Sequence, residues 1–123
     1  MPVKTKRFND SADEDDGFRI LICRYRPRGV RKADETWHAW QPDLGPSKEL
    51  LAAFHAKTSS PISWAQYRQK YLAEMKAKKP LIESLAQRVK SGETITLLCS
   101  SACTREARCH RSLLKELIEA AVK

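Results

Sequence analysis

The chain has 123 residues, 41% of them hydrophobic, and a net charge of +8. That length bounds it to one domain with a core of its own, and no apolar run approaches the roughly 18–20 residues of a membrane span. The charge is uneven: Asp10–Asp16 holds five acids and no base, so the other 116 residues carry +13, which implies anionic partners.

Val3–Phe8 alternates weakly and reads as a short edge strand, with lysines suited to an exposed edge. Asn9–Gly17 reads as a polar, solvated loop. It lacks the ligand alternation of a calcium site. Arg19–Cys23 is apolar and β-branched enough for a buried central strand, stopped by Pro27 and Gly29. Arg31–Gly45 is irregular, with a short helix over Ala33–Trp40 that presents Trp37 and Trp40. Ser47 is placed to cap a helix whose face holds Leu50, Leu51, Phe54 and His55. Thr58–Pro61 ends that helix, and Ser63-Trp-Ala-Gln66 has the form of a capping box for the next. Trp64, Tyr67, Tyr71, Leu72 and Met75 give that helix one aromatic stripe. Pro80 starts a new helix or kinks the old one, and Gly92 stops the stretch through Leu81, Ile82, Leu85 and Val89. Thr94–Leu98 is a second apolar strand. Cys109, Leu113, Leu114, Leu117, Ile118 and Ala121 then recur at helical spacing.

Two buried strands separated by helical material predict a parallel pair with a crossover. The fold expected is a small three-layer α/β domain over residues 1–123, with a mainly parallel sheet and flanking helices, Rossmann- or flavodoxin-like in character. In such folds ligands sit outside the carboxyl ends of the strands. Both arresting segments of this chain lie there.

The first is Arg24-Tyr-Arg-Pro-Arg-Gly29. Guanidinium forks suit phosphate or carboxylate bidentately. The alternative is that one arginine is a structural anchor, paired with an acid such as Glu74 or Asp43, and the others are solvated. The second segment is Cys99-Ser-Ser-Ala-Cys-Thr-Arg-Glu-Ala-Arg-Cys-His-Arg111, which supports three readings. As a nucleophile loop, Cys99 and Arg105 fit Cys-x5-Arg, which looks like the phosphate loop of the protein tyrosine phosphatases. The glycine usual near the arginine is absent, and no histidine precedes Cys99. As a metal site, Cys99, Cys103, Cys109 and His110 supply four ligands that zinc accepts, though without a Cys-x2-Cys pair. As an anion pocket, Cys109 is a core thiol on the leucine face, and His110 and Arg111 flank a helix start that favours negative charge. This third reading leads.

These segments lie in a chain that resembles the DUF488 family, small bacterial and archaeal domains of unknown function. The likeness runs through Asp16-Gly-Phe-Arg-Ile-Leu-Ile-Cys-Arg-Tyr-Arg-Pro-Arg-Gly29, where the family typically reads Asp-Gly-x-Arg-x-Leu-x-Asp-Arg-x-Trp-Pro-Arg-Gly. It continues through Trp40, Leu44-Gly-Pro-Ser-Lys-Glu-Leu50, Phe54-His55 and Tyr67-Arg-Gln-Lys-Tyr-Leu-Ala-Glu74, and ends at Cys109-His-Arg111. Two departures stand out: the family's acid falls on Cys23 and its tryptophan on Arg26. The resemblance implies a flavodoxin-like or Rossmann-like fold and no settled activity. Some relatives carry a porphyrin-methyltransferase label, but this chain has four glycines, none adjacent, and no glycine-rich strand–loop–helix for a methyl donor.

The expectation from the residues is a cleft in which Arg24, Arg26, Arg28 and Arg111 hold a phosphate- or carboxylate-bearing small molecule or nucleotide. Trp40, Tyr71 and His55 form its wall. Cys99 is the best-placed thiol and His110 the best general acid–base, which leaves hydrolase or transferase chemistry open. No cofactor is required, with zinc the alternative. A nucleic-acid-binding basic surface and an accessory protein-interaction domain remain the other classes. Met1-Pro-Val-Lys-Thr-Lys carries no apolar leader, so the cytoplasm is expected, with four reduced cysteines.

Overall fold

The computed structural model describes residues 3–27, 29–54, 62–99 and 109–122. The strands are β1 (Val3–Arg7), β2 (Phe18–Leu21), β3 (Ala39–Trp40) and β4 (Ile95–Cys99). The helices are α1 (Lys48–Phe54), α2 (Trp64–Lys76), α3 (Lys79–Lys90) and α4 (His110–Val122). The strands form one sheet in the order β1-β4-β2-β3, every pair parallel. The fold is therefore the small α/β domain that the alternation of apolar strands and helices implies.

β4 has no exposed residue, and Leu97 and Leu98 are both fully buried. A strand sealed on both faces takes a continuous apolar run rather than an alternating one. β2 neighbours it in the register Phe18 to Ile95 through Leu21 to Leu98. The two faces of β2 serve different clusters. Ile20 and Ile22 pack with Val3, Ile95, Leu97 and the buried faces of α1, α2, α3 and α4. Leu21 and Cys23 pack on the other side with Trp37, Leu98, Cys99 and Cys109, joined by Phe8 and Val30.

Local signals fix the helix ends. Ser63 accepts from Gln66 N at 3.2 Å and Gln66 Oε1 accepts from Ser63 N at 3.0 Å, a reciprocal capping box. Ser47 Oγ accepts from Leu50 N at 3.2 Å and donates to Glu74 Oε2 at 2.5 Å, so one hydroxyl caps α1 and ties it to α2. Pro80 stands in the first turn of α3, where its missing N–H costs nothing, and Gly92 ends that stretch at φ 97°.

Two expectations change. Ala33–Trp40 is not a helix: a 3-10 turn covers Lys32–Asp34, and Ala39–Trp40 is the fourth strand. The reason is tertiary pairing. His38 N and Gln41 N donate to Arg19 O and Leu21 O, and this segment completes the open edge of β2. Nor is Asn9–Gly17 wholly solvated, because Asp16 is fully buried. Its carboxylate accepts from Lys4 Nζ at 2.6 Å, from Lys6 Nζ and from Arg19 Nη1. Thr96 Oγ1 adds a hydrogen bond to Asp16 O at 2.7 Å. Burial alone would raise this carboxyl. The hydrogen bonds from Lys4, Lys6 and the Asp13 backbone, with the Lys6 charge, outweigh burial and hold it well below the usual carboxylate range. One side chain thus joins β1, β2 and the turn between them. Lys4 and Lys6 do lie on an edge strand, as expected, but they serve this carboxylate.

Candidate functional site

β4 ends at Cys99, α4 begins at His110, and β2 runs out at Ile22; the three meet at the carboxyl edge of the sheet. Cys99, Cys109 and His110 are 1%, 3% and 6% exposed. His110 Nε2 lies 2.8 Å from Ile22 O. A carbonyl only accepts, so Nε2 carries a proton, and in the neutral ring Nδ1 holds the lone pair. Nδ1 faces both sulfurs, at 3.9 Å from Cys99 Sγ and 3.9 Å from Cys109 Sγ. The sulfurs are 3.3 Å apart, contact distance and not a bond. Two thiols and an imidazole of fixed tautomer thus converge inside the protein.

The surroundings differ on the two sides. Leu21, Leu98 and Trp37 form an apolar wall around the sulfurs. On the other side the Tyr71 ring centroid is 5.7 Å from that of His110, and the Tyr71 hydroxyl donates to Leu44 O at 2.7 Å. Burial, with the charges of Cys109, Cys99 and Glu74, pushes the Tyr71 hydroxyl well above its ordinary value. Tyr71 is fully buried, so it is a floor under the imidazole rather than an open wall. Arg111 follows His110 and is 5% exposed; its charge reaches Asp10 and helps to lower that carboxyl, behind the larger effect of the Arg7 backbone N–H.

The other site residues expected from the sequence are dispersed. Arg24 is bound to the chain that follows β3: Nε donates to Pro46 O at 2.9 Å, and Nη1 is 3.8 Å from Asp43. The anchor reading therefore describes Arg24, with Asp43 as the acid. Arg26 pairs with Glu35 at 2.8 Å and lies over the Trp37 ring at 5.5 Å. Trp40 is 39% exposed and donates Nε1 to Cys23 O at 2.8 Å, which fixes it at the end of β2. Arg28, His55, Cys103 and Arg105 lie outside the described residues. Cys23, on the family's acid position, is 7% exposed and packs with Leu21, Trp37 and Leu98.

Sequence reasoning put Cys109 in the core and Cys99 at the site; the structure joins them. The metal reading groups them as one of three alternatives, and at ten positions apart only the docking of α4 brings them together. The Ile22 carbonyl was missed altogether, since a backbone acceptor leaves no mark in composition. Gly45 was also missed as a site support. A Cβ there would stand 2.9 Å from that same Ile22 O and 2.8 Å from Arg24 N. An apolar groove of about 600 Å³ between α2, α3 and α4, floored by Leu72, Met75, Ile82 and Leu117, shares no lining residue with this centre.

The family model described as the active DUF488-N3 subclade matches residues 3–122. The chain belongs to the DUF488 family. YeaO of Escherichia coli (strain K12) is 36% identical over 106 residues, covering 86% of this chain and 89% of that protein. Rv3073c of Mycobacterium tuberculosis (strain H37Rv) is 29% identical over 116 residues, covering 94% and 92%. Both are named as uncharacterized proteins. No solved structure matches. Membership thus agrees with the α/β fold and carries no reaction with it.

Proposed function

We propose that this DUF488 protein binds a small molecule bearing a phosphate or carboxylate at the carboxyl ends of β2 and β4, and that any chemistry there runs through Cys99 and His110. The observation that carries the reading is the imidazole. Ile22 O fixes its tautomer, and its lone pair is directed at two thiols. A base so placed can take a thiol proton, and a thiolate is the reactive form of cysteine.

Support for an anion comes from what stands next to that pair. The thirteen residues of α4 begin at His110, and no acid occupies the first turn. The positive end of the helix and the Arg111 guanidinium both favour negative charge at this edge of the sheet. Arg24 and Arg26 support the reading less, since each is engaged with a neighbouring loop.

The test is a thermal-shift screen with phosphate, sulfate, mononucleotides and sugar phosphates at low and moderate salt, on the natural protein and on Arg111→Lys and His110→Gln. A ligand at one hundred times its Kd adds about 2.7 kcal/mol to the folded state, a shift of several degrees. The expected result is a response to one ligand class that both variants lose. A flat response across the panel rejects the anion site.

A further inference from the structure

The three atoms that converge at the carboxyl edge of the sheet form a set that a metal ion recognises. We propose that Cys99 Sγ, Cys109 Sγ and His110 Nδ1 are three ligands of a zinc ion, with the fourth position left open to the anion. The metal site uses the same three atoms, so the proton transfer from Cys99 to His110 belongs to the metal-free protein; only the anion in the fourth position rests on the preceding reading.

Geometry is the first argument. A tetrahedral zinc ion has Zn–S near 2.3 Å and Zn–N near 2.0–2.1 Å, which sets S···S at about 3.8 Å and S···N at about 3.6 Å. The separations here are 3.3 Å and 3.9 Å, so each closes to the ideal value with a change of about 0.5 Å or less. All three atoms lie within 4.8 Å of one another.

Charge is the second argument. A lone ion in an apolar interior carries a heavy desolvation cost. Two thiolates and a neutral imidazole around a dication sum to zero, so the loaded centre places no net charge against Leu21, Leu98 and Trp37. The third is the outer shell. Metal-bound histidines donate their other ring N–H to a carbonyl or carboxylate, which fixes both the tautomer and the ring orientation. His110 Nε2 has that bond already, to Ile22 O at 2.8 Å. Soft thiolates with one imidazole suit zinc over magnesium or calcium, which take oxygen ligands. The acidic group Asp13, Asp15 and Asp16 makes the contrast: its charges already face Lys4, Lys6 and Arg19.

The experiment is a titration of the full chain, purified reduced and stripped by chelation, first with cobalt and then with zinc. The expected result is one cobalt per chain, with tetrahedral ligand-field bands and sulfur-to-cobalt charge-transfer bands that zinc abolishes. Proton release of about two per zinc at neutral pH accompanies binding, because both thiols must ionise. Cys109→Ser and His110→Gln weaken or shift the bands, with folding checked by circular dichroism. Cys23→Ser, a thiol of the same buried cluster but outside the ligand set, leaves them unchanged. Absence of sulfur-to-cobalt bands in the natural protein overturns the proposal whatever the variants do. So does a spectrum that survives Cys109→Ser and His110→Gln. Loss of the bands in Cys103→Ser gives the fourth position to that thiol and overturns the open site. Inorganic phosphate added to the cobalt protein moves the ligand-field bands if the anion meets the metal. Unmoved bands beside a positive phosphate shift of the metal-free protein separate the two readings and refute the anion at the metal.

Discussion

Asp16→Asn is the substitution whose cost the structure fixes best. The carboxylate is fully buried and faces three cations: Lys4, Lys6 and Arg19. Removing one partner of a buried ion pair costs about 3–5 kcal/mol, because the other charge is left uncompensated. Arg19 is 5% exposed and cannot recover hydration, whereas Lys4 and Lys6 have side chains 26% and 15% exposed and recover part of theirs. The lower end of the range is therefore expected, about 3 kcal/mol, or about 10 °C in Tm for a chain of this length. Urea unfolding of both proteins at a series of pH values provides the assay. The folded carboxyl titrates far below its unfolded value of about 3.9, so its contribution is complete above that pH and lost as pH falls toward the folded value. The gap between natural protein and variant should hold from pH 7 to about 5 and narrow below about pH 4, since the other carboxyls cancel in the difference. A gap below about 1 kcal/mol at pH 7, or one that stays constant down to pH 2.5, would refute the assignment of Asp16 as the ionised centre of this network.

Three further outcomes are expected. Tyr71→Phe leaves the Leu44 carbonyl, now 2.7 Å from the hydroxyl, without that buried donor, at a cost of about 1–2 kcal/mol in chemical denaturation with the Cys99 environment intact by NMR. Ser47→Ala removes the α1 cap and the hydroxyl's bond to Glu74, leaving the bond from Ser47 N to Glu74 Oε1, and should cost about 1–2 kcal/mol; a loss matched by Glu74→Gln would assign most of it to the link. Gly45→Ala forces backbone apart at the end of β2, where Arg24 N is 2.8 Å and Ile22 O 2.9 Å from the new Cβ, with no strain in φ to add. Destabilisation of about 1–3 kcal/mol is expected, with faster alkylation of Cys99 as the His110 anchor moves; unchanged thiol reactivity would break the connection drawn between Gly45 and the site.

The parts of this fold that were legible in the sequence are those whose cause is local. The apolar runs at Arg19–Cys23 and Thr94–Leu98 predicted the parallel neighbours β2 and β4, and Ser63 with Gln66 marked the start of α2. What stayed hidden depends on pairing across the chain. Ala39–Trp40 is two residues long and is a strand because β2 offers it an edge. Asp16 sits in a run of acids that reads as solvated, and its burial follows from lysines on β1 and an arginine three positions later. Arg19 opens an apolar strand in the sequence, yet in the fold it supplies the innermost of those cations.

The candidate site shows the same division at finer scale. Residue types picked out Cys99 and His110, because a thiol at a strand end and a histidine at a helix start are each visible alone. Three guanidiniums in five residues look like a claw for anions, but the chain bends at Arg24 and Tyr25, and Arg24 and Arg26 pair with separate partners, Asp43 and Glu35. Density of charge in sequence measures neither direction nor availability. What makes this edge of the sheet distinctive is not charge density in the sequence but three buried groups brought together by the ends of β4, α4 and β2. Hydrophobic packing alone would fill that place with leucine, as it does at Leu21 and Leu98 beside it. A His–Cys–Cys set in the same apolar wall offers what leucine cannot, two sulfurs and an imidazole nitrogen facing one another, and both the proposed thiol chemistry and the proposed zinc site rest on that difference.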